Sequence, residues 1–209
     1  MERLVAAVRA EPAGGLAGIV PQETPRPDRG RDLGLAVGLA AALCIVGTAA
    51  ADEVLGHIGP VRLLGEGPNR LLIGAGVFDA FDESRYGLDG DRSLAANIDL
   101  RAGRKLFGLG PAVGATANVN GGVFGYAGLY ADLAIADFVV SPLIGAGAYR
   151  RGDSKDLGGT FAVRVELGVA HQFANEARLG VRWGHVSNAY TYQQNPTEEE
   201  YLITYAWPF

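Results

Sequence analysis

His185, Ser187 and Glu199 have the side chains of a nucleophilic acyl-transfer site, and they lie close together near the end of the chain. In such a site a serine hydroxyl attacks an acyl carbon, a histidine takes up and returns the proton, and a carboxylate holds the imidazole. The oxyanion that forms needs hydrogen-bond donors. Asn188 and the backbone N–H groups around it are the candidates for that role.

The alternation of side chains along a β-strand selects one glutamate of three. His185 and Ser187 are two residues apart, so on a strand they share a face and lie roughly 7 Å apart. Of Glu198, Glu199 and Glu200, only Glu199 falls on the face of the odd-numbered apolar residues in its own segment. Two antiparallel registers would gather the three groups at one end of a hairpin, with either Ser187 or His185 opposite Glu199.

The elements that must position these residues are strands. Alternating runs of apolar and polar residues, separated by turn-forming residues, predict strands throughout residues 69–209. Eight such runs are found: Asn69–Ala80, Ser93–Ala102, Leu106–Asn118, Gly122–Ala134, Asp137–Tyr149, Thr160–Ala170, Ala177–Ser187 and Glu199–Phe209. Residues 52–68 are not assigned to any strand.

Eight strands of about ten residues predict the smallest kind of outer-membrane β-barrel, all-β, antiparallel and transmembrane. In such a barrel the apolar face meets lipid and the polar face lines the lumen. We therefore expect an interior polar network, formed by Asn97, Asp99, Arg101, Arg164 and Glu166. The 31 glycines suit a lumen that is only wide enough for side chains. A secreted β-sandwich is the soluble alternative.

The first fifty residues predict export. The apolar, uncharged run Leu33–Val46 follows Arg26, Arg29 and Arg31 and precedes the small residues Thr48–Ala51. This order is typical of a secretory signal peptide, and the run is shorter than the roughly 20 residues that span a membrane. We assign residues 1–51 to an N-terminal extension and signal peptide, and residues 52–209 to the barrel domain. The net charge of −5 gives no reason to expect a nucleic-acid partner.

The region of the candidate site resembles a known family. The segment at residues 185–189 (HVSNA), with Asn195 and Glu199, resembles the signature of the outer-membrane lipid A 3-O-deacylases, the PagL-like acyloxyacyl hydrolases. Members of that family are eight-stranded barrels with a His-x-Ser-Asn motif on the penultimate strand and a glutamate fourteen residues after the histidine. Glu199 stands at that spacing, and Asn195 matches the asparagine that helps to arrange the family's site.

The resemblance implies hydrolysis of an ester-linked 3-hydroxyacyl chain of lipid A by Ser187, His185 and Glu199, on the lipid-facing surface of the barrel. Lipopolysaccharide is then the substrate and the outer membrane is the location. No metal or other cofactor is expected, because His57 and His171 lack ligand spacing. Whether a homodimer forms is left open. The alternative is a non-catalytic small outer-membrane barrel with a structural or adhesive role.

Overall fold

The described part of the chain is built of strands. A computed structural model describes residues 51–80 and 92–209, and the predicted signal peptide lies outside them except for Ala51. The domain boundary after that peptide therefore stays a prediction. No helix that is long and apolar enough to cross a membrane occurs among the described residues.

Eight strands close into an antiparallel barrel, which confirms the predicted fold class. The described strands are β1 (Val54–Ile58), β2 (Val61–Leu64), β3 (Arg70–Phe78), β4 (Ser93–Arg101), β5 (Gly110–Asn118), β6 (Val123–Tyr130), β7 (Asp132–Ile135), β8 (Phe138–Arg150), β9 (Phe161–Gln172), β10 (Arg178–Ser187) and β11 (Thr197–Pro208). The barrel order is β3-β4-β5-β6-β8-β9-β10-β11, and β11 pairs back onto β3.

The wall of the barrel is apolar outside and polar inside. On β4 the side chains of Leu94 and Ile98 are 66% and 51% exposed, whereas Asn97, Asp99 and Arg101 are buried. This is the alternation expected of a barrel in lipid, where the outer face meets acyl chains and the narrow lumen holds only side chains.

The lumen is filled by a network of buried ion pairs. Arg101 binds Glu166 at 2.6 Å, and Arg164 donates from Nε to the other oxygen of Glu166 at 2.8 Å. Arg182 contacts Asp99 at 2.5 Å. Because a buried charge is costly unless it is paired, these contacts hold several strands in fixed positions relative to one another. Asn97 joins the network by donating to the hydroxyl of Tyr126 at 3.3 Å, and Tyr126 in turn donates to Asp99.

Two predicted strands differ from the structure by more than a shift of one or two residues at an end. The third begins at Gly110 rather than Leu106, because Phe107 and Gly108 take positive φ values of 53° and 83° and turn the chain. The fourth is divided into β6 and β7, which keep one register against β8. The backbone N–H of Ala131 bridges the gap by donating to a carbonyl of β8 at 3.1 Å.

Residues 52–68, which the sequence left unassigned, contain a hairpin. β1 pairs with β2, and β2 pairs with β7. This pairing takes the place of β5, whose first residue, Gly110, pairs with Tyr130 just before β7. Asp52, just before β1, binds Arg70 at 2.8 Å and Arg178 at 3.0 Å. These ion pairs tie the start of the hairpin to two barrel strands.

Candidate active site

The pairing of β10 with β11 sets the geometry of the site. His185 lies opposite Glu199 and Ser187 lies opposite Thr197, which is the second of the two registers considered above. Both strands place their odd-numbered side chains on the outer face, where Val181 and Ile203 are 61% and 67% exposed. His185 and Glu199 thus project from the lipid-facing side of the wall.

His185 and Glu199 are in direct contact. The distance from His185 Nδ1 to Glu199 Oε1 is 2.6 Å, and the two side chains are 30% and 21% exposed. A carboxylate at Nδ1 fixes the tautomer of the ring and leaves Nε2 free to accept a proton from a hydroxyl. The pair therefore has the arrangement of a general base and the group that orients it.

The second oxygen of Glu199 is also held. Trp183 donates its indole N–H to Glu199 Oε2, so both carboxylate oxygens have a partner on β10. The sequence analysis did not assign Trp183 to the site. The signal was nevertheless present, because Trp183 is two residues before His185 and therefore shares its face.

Ser187 lies next to this pair but is not hydrogen-bonded to it. The residue is 8% exposed and has Val163 of β9 and Thr197 of β11 as its lateral neighbours. The structure thus brings His185 and Glu199 into contact and places Ser187 two residues further along the same strand face. Hydrogen bonds of catalytic groups are often long or unformed before substrate binds.

Asn188 joins two loops. Its side chain is fully buried, and its amide nitrogen donates to the carbonyls of Leu157 and Gln194, both at 2.7 Å. That nitrogen is therefore committed to holding residues 151–160 against residues 188–196. The sequence predicts Asn188 as an oxyanion donor, whereas its side chain has the contacts of a loop-arranging residue.

The chain turns tightly directly after Asn188. Ala189 and Tyr190 have φ values of 51° and 58°, and the N–H of Thr191 donates to the carbonyl of Asn188 at 3.0 Å. Two successive positive φ values are typical of a type I′ turn, which residues other than glycine and asparagine adopt at a cost. Asn195 supports this turn, since its Oδ1 accepts from the N–H of Tyr190 at 3.3 Å.

The two glutamates that flank Glu199 face the lumen. Glu198 and Glu200 are each 1% exposed, and Glu200 accepts a hydrogen bond from Arg164. Gly184, immediately before His185, leaves the space for this ion pair, since a Cβ there would lie 2.7 Å from Arg164 Nη2. The lumen side of the wall thus braces the same two strands that carry the site on the outside.

The histidines outside the site have other surroundings. His57 lies on β1, and His171 on β9 contacts the rings of Phe138 and Phe173 at centroid distances of 5.5 and 5.0 Å. Within residues 51–80 and 92–209, no group of three or more His, Cys, Asp or Glu side chains is arranged to hold a metal ion.

Comparison with known families decides the assignment. The model of the lipid A 3-O-deacylase (PagL) family matches residues 82–208, well over half of the chain. The chain belongs to the lipid A 3-O-deacylase (PagL) family. It is therefore an outer-membrane β-barrel of a family of lipid A deacylases, which are ester hydrolases. No significant match was found among curated protein sequences.

The chain is similar to several solved structures, of which the first named here has a TM-score that supports the barrel fold. The crystal structure of the outer membrane enzyme PagL is 19% identical, with a TM-score of 0.50, and the match covers 67% of this chain and 99% of that one. A de novo designed transmembrane β-barrel is 15% identical, with a TM-score of 0.45 over 69% and 99% of the two chains. The Yersinia pestis outer membrane protein Ail, in a phospholipid bilayer nanodisc, is 12% identical, with a TM-score of 0.40 over 66% and 99%.

Proposed function

We propose that this protein is a serine esterase that hydrolyses the ester-linked 3-hydroxyacyl chain at a 3-O position of lipid A, with Ser187, His185 and Glu199 as its catalytic triad. The observation that carries the proposal is the 2.6 Å contact of His185 Nδ1 with Glu199 Oε1 on the outer wall of the barrel. Ser187 lies two residues from His185 on the same strand face, where rotation of the two side chains brings its hydroxyl to the imidazole.

The reaction has two halves. Ser187 Oγ attacks the ester carbonyl while His185 Nε2 takes the hydroxyl proton, and the same proton is then given to the departing 3-O oxygen of the sugar. His185 next deprotonates a water molecule that attacks the acyl-serine, and it gives that proton to Ser187 Oγ as the 3-hydroxy fatty acid is released. Glu199 stabilises the imidazolium that is formed in each half.

The oxyanion of both steps needs a donor beside the nucleophile. The backbone N–H of Asn188 directly follows Ser187, and it donates to no acceptor among the described residues. We assign this N–H to the oxyanion, since backbone donors next to the nucleophile commonly serve that purpose. The buried amide of Asn188 and the Oδ1 of Asn195 then keep the turn that presents it.

The position of the site on the outer wall fits a substrate that is itself a membrane lipid. Val165, which lies opposite His185 on β9, and Val181, four residues before His185 on the same face of β10, are 42% and 61% exposed. Acyl chains packed against such residues reach His185 by lateral diffusion, so the reaction requires neither a lumen pathway nor an enclosed pocket. The polar loops beyond β10 and β11 are then placed at the level of the sugar headgroup.

The test uses refolded protein and purified lipopolysaccharide. Wild type, Ser187→Ala and the control Ser141→Ala are compared, because Ser141 is a lumen serine that is hydrogen-bonded to Asp132. Mass spectrometry of the lipid A should show loss of one hydroxyacyl chain with wild type and with Ser141→Ala, and no loss with Ser187→Ala. A fluorophosphonate should label Ser187 alone.

Two results would contradict the proposal. Full activity of Ser187→Ala would exclude the serine as the nucleophile. A folded wild-type barrel that releases no acyl chain and takes up no fluorophosphonate would instead favour the non-catalytic barrel.

A further inference from the structure

The N-terminal hairpin has an apolar outer face that continues the outer wall of the barrel. Leu63 of β2 pairs with Leu133 of β7, and that row of paired residues continues through Val140 and Val169 to Val181. Directly paired residues of neighbouring strands project from the same face of a sheet. The row therefore runs without interruption from the lipid-facing wall onto the hairpin.

The opposite face of the hairpin is different. His57 pairs with Arg62, and Arg62 pairs with Ala134, which is buried. Arg62 and the buried Leu64 line a cavity of about 520 Å³ between the hairpin and the β9–β10 turn. The polar residues His57 and Arg62 lie on this face together with the buried Leu64, whereas the outward face carries apolar side chains such as Leu63 and Ile58, so the hairpin is amphipathic.

Large apolar side chains cluster on the outward face at this end of the barrel. We call this cluster the hairpin patch and define it as Ile58, Leu106, Phe107, Leu109, Ile135 and Phe138, which are 84%, 70%, 86%, 49%, 42% and 55% exposed. So much apolar surface in one place is unusual for a face in contact with water, and it marks a contact with lipid or with a protein.

The height of the wall points to lipid as that contact. β6 and β7 run in one register from Val123 to Ile135, about 41 Å of strand at roughly 3.4 Å per residue. At a tilt of about 40° this stretch rises about 31 Å, which exceeds the apolar band of about 25 Å in such barrels. β4, from Ser93 to Arg101, rises only about 21 Å on the same basis. One side of the wall therefore extends beyond the hydrocarbon core into the headgroup layer.

We propose that the hairpin patch lies in the headgroup and glycerol layer of the periplasmic leaflet, where it contacts phospholipid. The C-terminal ends of β9 and β11 define that leaflet, since the catalytic end of β10 faces the opposite, lipid A-containing one. Apolar residues on one face of an amphipathic element insert a short distance into this boundary and anchor it. The patch is outside the catalytic machinery and remains meaningful if the proposed reaction is wrong, although its assignment to the periplasmic leaflet rests on the proposed orientation of the site.

The alternation of the hairpin provides the test. Single cysteines at Ile58 and Phe107, on the patch, and at His57, on the opposite face, are introduced into a Cys44→Ser background, because Cys44 is the only cysteine of the chain. Each is spin-labelled in the full chain and reconstituted into vesicles of phosphatidylethanolamine and phosphatidylglycerol. Collision of the label with oxygen, which partitions into lipid, and with a water-soluble nickel chelate is then measured. A Val181→Cys label is the reference for the lipid-facing wall.

Labels at positions 58 and 107 should collide several-fold more with oxygen, relative to nickel, than the label at position 57. The label at position 107 should lie deeper in the bilayer than the label at position 58. Phe107 is in the turn that leads directly into the barrel strand β5, whereas Ile58 is the last residue of β1, at the outer margin of the hairpin. Nickel access equal to that at position 57 would overturn the proposal and show a surface in water. Labels shielded from both reagents would also overturn it: spin–spin broadening would then identify a second copy of the chain, and its absence would indicate cover by residues 1–50.

Discussion

Replacement of Trp183 by phenylalanine tests whether the indole N–H positions Glu199. The change removes one hydrogen bond to Glu199 Oε2 and keeps an aromatic ring on the outer wall. Glu199 keeps its 2.6 Å contact with His185, so the site is loosened rather than dismantled. We expect kcat to fall while KM stays within about twofold, because an interaction made mainly with the proposed catalytic carboxylate contributes to the chemical step.

The magnitude follows from the kind of bond. A hydrogen bond to a charged group contributes about 1.5–3 kcal/mol. Glu199 is 21% exposed and retains one partner, so the lower end of that range applies. About 1.5–2 kcal/mol in the barrier corresponds to a decrease in kcat of roughly ten- to thirtyfold.

The assay is release of 3-hydroxy fatty acid from lipopolysaccharide, followed over a range of substrate concentrations. Trp207→Phe is the matched control, since Trp207 is the other tryptophan, also projects from the outer wall, and packs against Tyr205 at 4.5 Å. A double-mutant cycle with Glu199→Ala isolates the interaction. In the Glu199→Ala background, Trp183→Phe should change kcat by no more than about twofold, because the acceptor is already missing.

Two outcomes would refute this reasoning. If Trp183→Phe and Trp207→Phe lowered kcat equally, the effect would come from the general loss of tryptophan at the membrane interface. If Trp183→Phe lowered kcat tenfold in the Glu199→Ala background as well, the indole would act on something other than Glu199.

Three further predictions concern the base, the lumen and the loop. His185→Ala should lower kcat on the order of 10³-fold or more with the barrel still folded; a smaller loss, measured by the same assay, would exclude His185 as the base. Glu200→Ala should lower the urea midpoint of unfolding, because it leaves the buried guanidinium of Arg164 without one partner, at a cost on the order of 3 kcal/mol; an unchanged midpoint would contradict the pairing. Asn188→Ala should speed proteolysis within residues 151–160, since the loop carbonyls lose their donor; an unchanged cleavage rate would show that Asn188 does not hold the loops together.

The alternation of side chains along the strands, with a period of two residues, predicted much of the fold and of the site geometry. The period of two placed Glu199 outside and Glu198 and Glu200 inside, because adjacent residues of a strand must face opposite sides. Parity alone could not choose between the two registers of β10 and β11, since a shift by two residues preserves every face. The choice of His185 opposite Glu199 came from the full network of pairs around the barrel.

Other features escaped the sequence for identifiable reasons. The alternation of glycines with apolar residues after Phe107 predicted a strand, whereas the positive φ of Phe107 forms a turn there. The hairpin β1–β2 is too short for a period to stand out, and it is ordered by β7, which is far away in the sequence. The two-residue spacing puts Trp183 on the same face as His185, but its role depends on the rotamer that brings its N–H to Glu199, which no spacing rule contains.

The separation of faces on β10 and β11 has a consequence for protein engineering. Gly184 faces the ion-paired interior, while its neighbours Trp183 and His185 project from the outer surface. Alternate residues of this segment are therefore constrained by different surroundings, the packed lumen on one side and the lipid-facing surface on the other. A combinatorial library confined to outward positions such as Val165 and Val181 varies the surface that meets acyl chains and leaves the buried arginines untouched. Variants with altered chain-length preference can therefore be sought in such a library without redesigning the interior.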